Sequence, residues 1–110
     1  MIEKIILDYL TSALDVSVYT EISDDEPTRY VVLEKTGESC ENHIHSATVA
    51  IQSYAESRFE AAELNKKVKK AMDEIVFLNS IGKSKLNTDY NFPDTTKKKH
   101  RYQAVYDVIY

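Results

Sequence analysis

Tyr30-Val-Val-Leu-Glu-Lys-Thr-Gly37, Ser46-Ala-Thr-Val-Ala-Ile-Gln-Ser-Tyr-Ala55 and Glu56-Ser-Arg-Phe-Glu-Ala-Ala-Glu-Leu-Asn-Lys-Lys-Val-Lys-Lys70 decide the fold. The first two stretches are rich in β-branched and aromatic residues, which suit a pleated, half-buried surface. The third changes to helical spacing without an intervening linker. Strand, polar loop, strand and helix therefore follow one another, which predicts an α+β domain.

The helix is marked at its start by Ser57 and Glu60, spaced as a capping box in which each side chain satisfies a backbone donor of the other. Ala61, Leu64, Val68, Ala71, Met72, Ile75 and Leu78 then form one apolar stripe about five turns long. Gly82 reads as a helix stop. In the preceding strand, Ala47, Val49, Ile51 and Ser53 form a small, apolar face suited to lie beneath that helix, and Thr48, Ala50, Gln52 and Tyr54 form the other.

Outward from this core, Ile2, Ile5, Ile6, Tyr9 and Leu10 make a stripe that predicts a short helix over 2–12. Residues 15–22 alternate as a strand. Ser23-Asp-Asp-Glu-Pro-Thr28 is turn chemistry, so residues 15–22 and 30–36 are expected to form a hairpin. Residues 37–45 read as a polar loop. Residues 85–92 predict a weak strand ended by Pro93, residues 94–99 a polar, basic connection, and residues 100–110 a strong strand. Tyr102, Ala104, Tyr106, Val108 and Tyr110 share the more apolar face of that last strand. The order α-β-β-β-α-β-β predicts a mostly antiparallel sheet of about five strands, with one long and one short helix on one face, in a single domain 1–110.

The chain has 110 residues, 43% hydrophobic and 29% charged, which is ordinary for a globular domain. No apolar run approaches the ~20 residues that cross a bilayer. Charges interrupt the apolar pattern of the first residues, so no secretory signal is expected. Cys40 is the one cysteine, which excludes an internal disulfide and fits a reducing compartment. The net charge of −4 conceals an asymmetry: residues 1–56 carry 11 acidic and 3 basic side chains, residues 57–110 carry 7 and 11. Complementary halves favour head-to-tail self-association or a partner on each side.

Catalytic patterns are not assembled. Gly82-Lys83-Ser84 resembles the end of a phosphate-binding loop, but the first glycine of that motif would fall at Phe77, and the segment follows a helix rather than preceding one. Cys40, Glu41, His43 and His45 are metal-ligand types, and His-x-His on an extended chain would set both imidazoles on one side. Their spacing matches no zinc pattern, so no metal is expected. Asp24-Asp25-Glu26 serves the turn. Lys97-Lys98-Lys99-His100-Arg101 precedes tyrosines on a strand, which superficially suits nucleic acid. The sheet motif of the common RNA-binding fold is missing and the chain is acidic, so direct nucleic-acid binding is not expected.

Four segments carry a resemblance: Val16-Ser-Val-Tyr-Thr-Glu-Ile22, Tyr30 to Gly37, Ala47 to Ala55 running into Ala61-Ala-Glu-Leu64, and Tyr102-Gln-Ala-Val-Tyr-Asp-Val-Ile-Tyr110. With the element order, they resemble the tail terminator, or tail completion, proteins of long-tailed bacteriophages and prophages. Residues 38–45 and 79–101 match least. The resemblance implies a non-enzymatic structural subunit without cofactor. Such subunits form a homo-oligomeric, hexameric ring that caps the tail tube, stops its polymerisation and joins it to the head. The implied partners are the tail tube protein and a head–tail connector or neck protein, with no membrane. The implied location is the host bacterial cytoplasm during assembly, then the virion tail or neck. Loops on a rigid scaffold carry contacts, so the expected interaction surface is Glu38, Glu41, His43 and His45 of the 37–45 loop and Lys97, Lys98, Lys99 and Arg101 of the 94–101 connection. The alternatives are another neck or tube component on a related fold, or a small nucleic-acid-binding module.

Overall fold

The long helix sets the frame of the molecule. In the computed structural model, which describes residues 2–21, 27–93 and 99–110, α1 (Ile2–Ala13) is followed by β1 (Ser17–Tyr19), β2 (Tyr30–Glu41) and β3 (Ile44–Ala55). Then come α2 (Arg58–Glu74), β4 (Lys83–Asn91) and β5 (His100–Ile109). Ser57 caps α2 from an extended conformation, its hydroxyl accepting the Glu60 amide at 3.1 Å. Glu60 does not return the bond as a capping box would. Its carboxylate pairs with Arg29 at 3.2 Å. The α-helix ends at Glu74 and tightens into a 3-10 turn, Ile75–Phe77. Gly82 is not the helix stop that its position suggests: its amide donates to the Ile109 carbonyl at 2.7 Å and leads into β4.

The sheet is α+β in character and mostly antiparallel, in the order β1-β2-β3-β5-β4. β3 lies at its centre, and every residue from Val49 to Ala55 is buried. One face carries both helices. Ile2, Ile6 and Leu10 of α1, Leu64, Val68 and Met72 of α2, and Ile75 of the turn after it enclose Val31, Leu33, Val49, Ile51, Ala104, Tyr106 and Val108. Each fully buried aliphatic side chain stabilises by roughly 1.5–3 kcal/mol, so this stripe, rather than helix propensity, holds α2 in place. The predicted apolar face of β5 is this core face, with Tyr106 fully buried and its hydroxyl donating to the Lys69 carbonyl at 3.3 Å.

Two expectations are corrected. β1 and β2 do not form a hairpin: they pair in parallel, Ser17 with Tyr30 and Tyr19 with Val32. β1 ends at the level of Val32 and β2 begins at the level of Ser17; of the expected turn at 23–28, residues 23–26 lie outside the described residues. Residues 37–45 are not a loop. β2 and β3 run on as an antiparallel arm to Glu41 and Ile44, closed by Asn42 and His43 alone. Both turn residues have positive φ, 52° and 66°, the pattern of a two-residue turn that follows strand twist. A bulge between Lys35 and Gly37 bends β2 at the base of the arm. The molecule is accordingly elongated, 43 × 24 × 23 Å.

Candidate functional site

The face of the sheet without helices is built from rows of side chains that cross the strands. In the first row, the Tyr30 and Tyr54 rings stack at 4.5 Å, with Tyr19 edge-on to Tyr30 at 6.0 Å. Lys99 donates to the Tyr30 hydroxyl at 3.0 Å and stands over its ring. Arg101 donates to the Tyr54 hydroxyl at 2.9 Å and to the Phe92 carbonyl at 2.7 Å, with its guanidinium 4.1 Å from the Phe92 ring centre. In the second row, Gln52 donates to Gln103 at 2.9 Å, and Gln103 donates to the Tyr90 hydroxyl at 2.6 Å. In the third, Asp107 accepts from Thr48 at 2.9 Å and from Asn87 at 3.0 Å. Tyr30, Tyr54, Gln52 and Gln103 are buried although no described helix lies over them.

The expected contact residues fall at opposite ends of the sheet. Glu38, Glu41, His43 and His45 belong to the arm, beside the end of β5. Lys99, just before β5, and Arg101, at its start, lie about 30 Å away along the strand. Lys97 and Lys98 lie outside the described residues. Lys99 and Arg101 are folded onto aromatic rings as part of the sheet face.

At the arm, the Glu38 carboxylate accepts from the Tyr110 hydroxyl and from Lys35 at 3.2 Å. The Tyr110 bond, then Lys35, holds the carboxyl below its ordinary range, and the same bond to Glu38 raises the Tyr110 phenol. His45 stacks on Tyr110 at 5.7 Å, and the Tyr110 amide donates to the His45 carbonyl at 3.0 Å. Cys40 Sγ lies 3.9 Å from His45 Nε2. His43 occupies the turn with φ 66°, so the two imidazoles do not share the side that an extended chain would give them. Among the described residues, no three ligating side chains converge. Glu41 and His43 face solvent, and Ile44 beside them is 54% exposed.

Sequence reasoning missed the rows of the helix-free face. Their partners come from different strands, as far as 69 residues apart in sequence for Lys99 and Tyr30, and only the alternation of Tyr30 with Val32 and Gln52 with Tyr54 hinted at them. It also missed the clasp of β4 to α2, where Asp89 accepts from Lys69 at 2.7 Å and from the buried Asn65 at 3.3 Å.

The chain matches no family model and no curated protein.

Proposed function

We propose that this chain is a structural subunit of a long-tailed phage particle, a tail terminator that forms a ring, caps the tail tube and joins it to the head. The observation that carries this reading is the β2–β3 arm. An arm exposed from Glu38 to His45 adds little to the core, yet it is held in one direction by a bulge at its base and by Tyr110 at its side. Such an element suits contact between macromolecules, because it offers backbone groups and side chains that need no reordering. The element order and the four matching segments supply the phage context.

The mechanism is steric. One rim of the ring occupies the surface on which the next tube subunits would add, and the other rim receives the neck. Residence in the host cytoplasm until assembly, then in the virion, follows from this role. The test combines light scattering of the purified chain with negative-stain images before and after adding tail tubes. Discrete rings and capped tubes of fixed length support the reading. Long tubes made of this chain alone point instead to a tube subunit. A salt-sensitive shift with oligonucleotide, together with uncapped tubes, removes the reading.

A further inference from the structure

Heights can be followed across the sheet through its strand pairings. Lys83 lies level with Ile109, Ser46 and Ser39, and Asp89 lies level with Ala104, Ile51 and Leu33. Seven residues of β4, Lys83–Asp89, and the stretch Leu33–Ser39 of β2 thus occupy the same height on opposite edges of one sheet. Among the described residues, neither stretch has a strand on its outer side, because β1 covers β2 only from Tyr30 to Val32. β2 and β4 also run in opposite directions, since three antiparallel pairings separate them. A second copy laid alongside in the same orientation would therefore bring its β4 antiparallel to the open part of β2.

The charges agree with this placement. Register puts Lys83 and Lys85 of β4 on the helix-free face, in line with Ser39 and Gly37 of β2. Glu34 and Glu41 lie on that same face of β2, flanking those positions, so each lysine would have a carboxylate at a diagonal cross-strand distance. All four side chains are exposed, and none makes an ion pair with a described residue. The bulges agree as well. The one in β2, between Lys35 and Gly37, lies beside the height of Leu86, and the one in β4 lies between Leu86 and Thr88, so the two edges carry their irregularities at matching heights.

We propose that the partner of these edges is a second copy of this chain, with β4 of one subunit pairing with the open edge of β2 of the next to continue the sheet. The contact is heterologous, so it closes into a ring when the rotation between copies allows. It rests on the ring reading above, and it names the surfaces that would build the ring. Bulges and edge lysines ordinarily discourage strand pairing. Here they would restrict it to an edge of opposite charge with its bulge at the matching height.

Gly82 lies opposite Tyr110, level with His45 and Cys40, and has room for a Cβ, the nearest atom being 3.5 Å away. In an assembled sample of Gly82→Cys under mild oxidation, Cys40 of one copy should form a disulfide with the new cysteine of the next. The result would be a ladder of trimers and larger species, with the mixed disulfide-linked peptide found by mass spectrometry. The same variant carrying Cys40→Ser should stop at dimers. In light scattering, Lys83→Glu/Lys85→Glu and Glu34→Lys/Glu41→Lys should each weaken association roughly tenfold, and all four together should restore it. Rings without the mixed disulfide, and with association unmoved by either reversal, overturn the edge pairing while leaving the ring reading intact. A chain that stays monomeric and never forms the mixed disulfide overturns the pairing too, and capping of added tubes then decides the ring reading separately.

Discussion

At the scale of single residues, the fold depends on charged groups held by specific partners. Arg29 donates to both Glu56 oxygens, from Nε at 3.1 and 3.0 Å and also from its terminal nitrogen. That bonding, with a further bond from the backbone of Glu56, lowers the carboxyl from 4.5 to about 2. A carboxyl depressed in the folded state favours folding at pH values above its unfolded pKa, and that contribution is lost as pH falls through the folded value. Glu56 should therefore make stability decline between about pH 4.5 and 2, and Glu56→Gln should flatten this part of the curve of urea midpoint against pH. An unchanged slope would show that the pair contributes nothing, as many exposed pairs do. Arg101 is the second case. A planar guanidinium can stack on Phe92 while donating to two oxygens, which an ammonium cannot match. Arg101→Lys should cost about 1–2 kcal/mol, read as a lower urea midpoint at constant slope. Wild-type stability in that variant would mean that the cation is replaceable. The sequence shows Arg101 only as part of a basic run, because its aromatic partners, Tyr54 on β3 and Phe92 just past β4, come from elsewhere in the sheet and no local spacing announces them.

At the scale of elements, legibility follows the range of the deciding interactions. α2 was readable because its cap and stripe are local: Ser57 serves Glu60, and Ala61 to Ile75 repeat at helical spacing. β3 and β5 were readable because alternate residues, Ala47, Val49 and Ile51 in β3 and Ala104, Tyr106 and Val108 in β5, keep one apolar face at strand spacing. The pairing of β1 was not, because two alternating strands separated by turn residues look alike whether the chain reverses or returns. The arm was hidden because both faces of its strands are polar, which removes the alternation that marks a strand. Its remaining signal was Asn42, a residue tolerant of positive φ at a two-residue turn. His43 follows with φ 66°, where a side chain is strained and glycine is not. His43→Gly should consequently stabilise the protein by up to about 1 kcal/mol, seen as a raised urea midpoint. A lower midpoint would mean that the imidazole makes a compensating contact at the tip.

At the scale of the whole molecule, the two halves of the sequence become two sides of one sheet. α1 and β1 to β3 come from the acidic half and occupy one end of the strand order. β5 and β4, with α2 packed over the centre, come from the basic half and occupy the other. At the edges of the sheet the described charges differ in sign, Glu34 and Glu41 standing on β2 and Lys83 and Lys85 on β4. Charges arranged in this way attract copies placed side by side and repel copies placed like edge to like edge, which favours a heterologous contact over a symmetric dimer. Attraction between exposed charges is screened as the Debye length shrinks from about 10 Å at 0.1 M salt to about 3 Å at 1 M. Association of the purified chain should accordingly weaken as sodium chloride rises across that range, when mass is followed by light scattering at fixed protein concentration. Association that strengthens with salt would indicate apolar contacts instead, and attention would pass to Phe59 and Phe77, 69% and 83% exposed at the two ends of the α2 segment.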